Sequence, residues 1–131
     1  MRLVTHTAPP VLLVGLMLLP THHAMAQGGT TPEVCVVNRI DGSHLARVSV
    51  TYLSVQGQRL AEVKRTLNKG ERACHRQPGS FHVAFAWELQ RDGNWFRVCT
   101  NPAPSITGLD RDRVATLVGT SSAPSCVIGW Q

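Results

Sequence analysis

The feature that most constrains this chain is the run at 80–90, "SFHVAFAWELQ". Phe81, Val83, Phe85, Trp87 and Leu89 fall at every second position, and His82, Ala84, Ala86 and Glu88 fall between them. A helix would scatter these side chains around its axis. A strand puts all five apolar ones on one face, so the period of two predicts a strand with a single buried side. Asp92-Gly93 follows, the pair that a two-residue type I′ turn favours because both residues need positive φ. The stretch at 95–100, "WFRVCT", then reads as the return strand of a hairpin.

The same grammar recurs along the chain. The β-branched run at 34–40, "VCVVNRI", ends at Asp41-Gly42. In 45–55, "LARVSVTYLSV", Ala46, Val48, Val50 and Tyr52 share one face, while Arg47, Ser49 and Thr51 share the other. The stretch 59–67 fits either period, and its length and strand neighbours decide for a strand. Asn68-Lys69-Gly70 turns the chain. Pro102 and Pro104 lack ladder donors, so 101–105 reads as a connection. The runs 113–120 and 126–130 supply the last two strands. About seven short strands with turn signals between them predict an all-β fold, a single antiparallel β-sandwich or small barrel.

The first 26 residues read as an address. The apolar run at 11–19, "VLLVGLMLL", follows Arg2 and precedes Ala24-Met25-Ala26, the small-x-small pattern of a signal-peptidase site. The run is too short for a bilayer span, which takes about 20 residues. No second apolar stretch reads as a membrane span. The expected organisation is a signal peptide at 1–26, a flexible Gly-rich leader at 27–33 and one β domain at 34–131, periplasmic or secreted. The net charge is +5. Arg2 is the only charged residue of the signal segment at 1–26, and the remaining basic residues are scattered. That balance suits solubility, with a weak pull toward anionic envelope components.

All four cysteines, Cys35, Cys74, Cys99 and Cys126, lie beyond the leader. An even count in a short exported chain implies structural disulfides. Three pairings are open. The preferred one is Cys35–Cys126 with Cys74–Cys99, tying the first strand to the last and bracketing the central strand. Each bridge would stabilise by roughly 3–5 kcal/mol in the chain-entropy picture.

Chemistry is sparse. No C-x-x-C or H-x3-H pattern offers a metal site, and no metal or cofactor is expected. No G-x-S-x-G is present, and Ser80, Ser105 and Ser125 sit beside Gly or Pro as ordinary loop serines. Glu62, Glu71, Glu88, Asp92, Asp110 and Asp112 include no pair that the sequence selects for acid–base work. His44 reads as a solvated loop residue, His82 as half-exposed opposite the aromatic row, and His75 has no assigned role. The hairpin with Trp95, Arg91 and Arg97 is the candidate binding surface, since an indole at a hairpin tip can stack on a sugar ring or enter a partner's pocket. Interleaved Arg and aromatic residues also suit single-stranded nucleic acid, but an exported protein rarely meets it, so no nucleic acid is expected.

In order, "VCVVNR", "VSVTY", "LNKGERAC" and "FAWELQRDGNWFRVCT" resemble small exported, disulfide-bonded bacterial β domains of unknown function. The resemblance spans 34–100. Cys35 departs from the pattern, with two valines before Asn38 where the family is tighter. The resemblance implies a disulfide-bonded β domain of bacterial origin and carries over no site residue. The function expected is a non-enzymatic exported module that binds a protein or an envelope component. The alternative is an inhibitor or immunity-type partner of an exported enzyme, with a small hydrolase behind both.

Overall fold

The computed structural model describes residues 29–131. The expected signal peptide and its cleavage point lie outside the described residues. Nine strands follow in chain order: β1 (Glu33–Asn38), β2 (Ala46–Leu53), β3 (Arg59–Leu67), β4 (Arg72–Arg76), β5 (His82–Arg91), β6 (Asn94–Val98), β7 (Ser105–Thr107), β8 (Arg113–Gly119) and β9 (Pro124–Trp130). They form two sheets packed face to face. The first has the order β4-β1-β8-β9, and the second β3-β2-β5-β6, with β7 also pairing β5. This is the expected all-β sandwich.

The alternating runs behave as their period demands. On β5, Val83, Phe85, Trp87 and Leu89 are buried, and on β2, Ala46, Val48, Val50 and Tyr52 are buried beside them. Ile40, Val34, Val36, Ala115 and Leu117 close the core from the other sheet and its loop. Asp92 (φ 50°) and Gly93 (φ 79°) both turn left-handed, as a type I′ hairpin requires.

Four expectations about strands, core and disulfides need correcting. Two strands, β4 and β7, were not legible as strands. β1 and β8 pair in parallel, so the sandwich is not wholly antiparallel; they are far apart in sequence and enter their sheet from the same end. Phe81 was grouped with the core row, but it precedes β5 and lies exposed at the end of the sandwich. The disulfides are Cys35–Cys74 and Cys99–Cys126, not the preferred pairing. Cys35 and Cys74 stand directly opposite each other on neighbouring strands, with Cα atoms 4.0 Å apart. Cys99 ends the β6 arm of one sheet and Cys126 lies on β9 of the other, so this bridge joins the two sheets. Sequence offered no view of β4, and without β4 the partner of Cys35 could not be found.

The turn at 68–71 therefore links two sheets and is not a hairpin. It is held by Asn38, the one buried polar residue of the described core. Its Nδ2 donates to the carbonyls of His44 (2.9 Å) and Leu67 (3.1 Å), and its Oδ1 accepts from the Ile40 N–H (3.2 Å). The Gly70 N–H donates to the Asn38 carbonyl at 2.6 Å, and Gly70 takes φ 80°, which a side chain would resist. His44 is half-buried beside it, with Nδ1 3.1 Å from the Gln90 carbonyl, so it is not the solvated residue expected.

Candidate binding surface

The outer face of the β3-β2-β5-β6 sheet is charged. Arg47 on β2 lies opposite Glu88 on β5, and Glu88 lies opposite Arg97 on β6. The Arg47 Nε donates to Glu88 Oε2 at 2.7 Å. That bond, with the nearby Arg97 and Lys64 charges, holds the Glu88 carboxyl below the usual carboxylate range and raises Arg47. Glu62 is lowered chiefly by the Ser49 hydroxyl, then by Arg59 and Lys64. Small side chains at Ser49 and Ala86 floor a shallow depression of about 500 Å³ between these charges.

The predicted hairpin residues separate on this frame. Trp95 and Arg97 alternate on β6 and share the outer face. Trp95 is half-buried, with the Arg47 guanidinium 4.4 Å from its ring centroid. Arg91 does not join them. Its guanidinium stacks over Phe96 at 4.4 Å and donates to the Ser121 carbonyl at 3.2 Å. Gln90, Arg47 and Glu88 are the residues beside Trp95 and Arg97, and the strand-pair periodicity alone implied the last two.

A second surface was not foreseen. β2 ends, and β3 and β5 begin, at the same end of the sandwich; β8 begins and β9 ends there too. Among the described residues, the large exposed apolar side chains are Val55, Leu60, Phe81, Phe96, Val127 and Trp130. Four of them, Val55, Leu60, Phe81 and Trp130, lie at this end. The Phe81 N–H donates to the Leu53 carbonyl (2.8 Å) and the Leu109 N–H to the Phe81 carbonyl (2.8 Å), which ties the end of β2 to the loops before β5 and before β8. Trp130 is 59% exposed and carries the guanidiniums of Arg111 and Arg113 at 4.4 and 4.0 Å from its centroid. Two of the arginines here have local carboxylates: Arg76 reaches Glu33 (3.6 Å) and Asp112 (3.9 Å), and Arg111 reaches Asp110 (3.4 Å). Strand periodicity hid this surface, because it assigns side chains to faces and not to ends.

The interior offers little room. His75 faces inward on β4, its ring 5.3 Å from that of Tyr52. Burial pushes the Tyr52 hydroxyl up to about 12, against the opposing pull of the Arg65 charge. The cavity beside this pair is about 10 Å³, room for a single water molecule at most. The Glu33 carboxylate and the sulfurs of Cys35 and Cys74 converge within 4.8 Å, but the sulfurs are joined in a disulfide and are not free thiolate ligands.

No family model matches the sequence, and no curated protein matches it. Solved structures do. The chain is similar to the membrane-binding domain of pneumolysin, with a TM-score of 0.52 and 12% identity, over 77% of this chain and 97% of that one. It is similar to intermedilysin, solved with human CD59, with a TM-score of 0.51 and 14% identity over 77% of this chain. Listeriolysin O gives a TM-score of 0.50 and 11% identity, again over 77%. The chain spans only 24% and 22% of those two longer proteins. At these identities the likeness is one of fold, and function has to be argued from the surfaces.

Proposed function

We propose that this chain is an exported, non-enzymatic binding module that docks on a lipid surface of the cell envelope through one end of its sandwich. The observation that carries this reading is that Val55, Leu60, Phe81 and Trp130, all exposed, lie at that one end. Exposed apolar side chains scattered singly are ordinary, but a cluster marks a surface with an apolar partner. An indole flanked by guanidiniums suits the boundary between head groups and acyl chains, where an amphipathic ring is at home. The fold shared with a domain described as membrane-binding supports the same reading.

Full burial of one large apolar side chain is worth about 1.5–3 kcal/mol. These four are already partly covered, so together they supply on the order of 4–6 kcal/mol. That corresponds to a weak affinity, roughly 0.04–1 mM in accessible lipid. Arg76 and Arg111 are held by local carboxylates, which among the described residues leaves Arg113 as the free guanidinium beside Trp130, so the binding is expected to depend only weakly on salt.

The test is co-sedimentation of the purified chain with vesicles of phosphatidylethanolamine and phosphatidylglycerol, alongside the double variant Phe81→Ala/Trp130→Ala. Wild type is expected to sediment with vesicles and the variant to stay in solution, both folded by circular dichroism. Absence of wild-type binding at millimolar lipid would overturn the reading, and so would equal binding by the variant.

A further inference from the structure

A sandwich has free sheet edges, and an unguarded edge is a template for another strand. Three of the edges in this fold are guarded. β4 carries Arg72, His75 and Arg76 within five residues. β3 carries Arg59, Glu62, Lys64 and Arg65. The β6–β7 edge is broken at Cys99, which has φ 56°, and then by Pro102 and Pro104, which have no N–H to offer. β9 is different. It pairs only with β8, runs for seven residues as "PSCVIGW", and contains no charge and no proline after its first residue. Val127 at its midpoint is 49% exposed. The whole stretch 120–131 is uncharged.

We propose that β9 is the pairing edge for a second copy of this chain, joined antiparallel about a two-fold axis through Val127. Edge pairing of this kind takes its affinity from backbone hydrogen bonds, with side-chain matching setting the register. The chemistry selects a copy over a charged partner. An edge without charge gives an acidic or basic strand nothing to recognise, whereas a symmetric pairing sets each residue against its own strand and would be opposed by any charge near the axis.

The register is specific. Val127 meets Val127 of the second copy on the outer face, Ser125 meets Gly129 there, and Cys126 meets Ile128 on the inner face. Pro124 meets Trp130, an indole against a flat pyrrolidine ring. These pairs keep inner residues with inner and outer with outer, as the pleat requires. A depression between β9 and 101–105 opens on the same side, lined by Pro102, Pro104 and Ile128 among others, and leaves room for the inward side chains of the incoming strand. The result is one continuous eight-stranded sheet. The two copies run in opposite directions, so their apolar ends point away from each other. Trp130 stands in both surfaces, at the apolar end and opposite Pro124 of the second copy; otherwise a lipid surface and a second copy use different parts of the chain.

Sedimentation equilibrium on the purified chain from about 10 µM to 1 mM tests this, that range being where a small interface of this kind forms. Wild type is expected to approach twice the monomer mass at the upper end. Val127→Lys and Val127→Glu each place two like charges across the axis and are expected to remain monomeric. An equimolar mixture of the two variants pairs Lys with Glu and is expected to recover the dimer. The exposed position leaves the fold intact, checked by unchanged melting. Three results would each overturn the proposal: a wild type that stays monomeric at 1 mM, a Val127→Lys variant that associates like wild type, or a mixture that fails to associate.

Discussion

Asn38 is the sharpest test of how this fold is held. It is fully buried, and its amide closes three bonds that join the end of β1 to two neighbouring loops, at 2.9, 3.1 and 3.2 Å. Asn38→Ala removes all three and leaves the His44 and Leu67 carbonyls and the Ile40 N–H without these partners. At about 1 kcal/mol net per bond, with the added cost of stranded buried groups, the loss comes to about 3–4 kcal/mol. That is a large share of the 5–15 kcal/mol that a domain of this size commands. The corresponding fall in melting temperature is roughly 12–30 °C. Urea unfolding with both disulfides intact gives the measurement, and the midpoint should fall without a change in slope. Asn38→Asp separates bonding from size. It keeps the acceptor for Ile40 but turns two donors into an acceptor that faces two carbonyls, so it should destabilise more than the alanine. A cost below 1 kcal/mol for Asn38→Ala, or an Asp variant more stable than the Ala variant, would refute the assignment.

Other outcomes follow from the same geometry. Peptide mapping without reductant should recover Cys35–Cys74 and Cys99–Cys126, and replacing either pair by alanine should cost about 3.5–4 kcal/mol for loops of 39 and 27 residues. Tyr52 is the sole tyrosine, so ultraviolet titration reads it alone and should show ionisation near 12 in the folded chain. Its raised value adds stability that is complete below about pH 10, the unfolded value, and lost as pH rises through the folded value; Tyr52→Phe should remove that part of the alkaline slope. Glu88 has the opposite sign. Its lowered value contributes above the ordinary carboxylate range of about 4 and is lost as pH falls through the folded value, by less than about 1 kcal/mol for so exposed a pair, and Glu88→Gln should flatten that part of the acid limb.

The sequence made the sheet with β2 and β5 legible because both strands alternate cleanly, and Asp92-Gly93 marked the hairpin from β5 to β6. It hid β4, where the alternation in "RACHR" buries only Ala73 and His75 in part, too short and too polar for periodicity to register. The disulfide pairing failed for that reason, since Cys74 looked like loop before the central strand. Trp95 and Arg97 were brought together on one face by alternation, and the same alternation puts Arg91, at the end of β5, in the inner row of Val83, Phe85, Trp87 and Leu89. The apolar end was invisible for a different reason. Its side chains come from two loops, the start of β3 and the end of β9, and only the packing of two sheets brings these to one end.

The two bridges explain why those parts of the surface are free for binding. Cys35–Cys74 fixes the edge strand β4, and Arg72 and Gln131 lie over its sulfurs, with Arg72 Nη2 3.3 Å and Gln131 Nε2 2.9 Å from the Cys35 Sγ. Cys99–Cys126 ties the second sheet to β9. A domain of this size has a modest core, and without cross-links its loops and edges would have to carry stability through packing. With one bridge within a sheet and one between the sheets, the loops at the apolar end and the outer side of β9 have few structural duties. Exposed apolar side chains there lower solubility without adding to the core, and retaining them is intelligible if each surface meets a partner that covers it. The reasoning predicts an order of effects. Losing a bridge should weaken folding before it weakens binding, whereas changing Phe81, Trp130 or Val127 should weaken an association and leave the melting temperature nearly where it was.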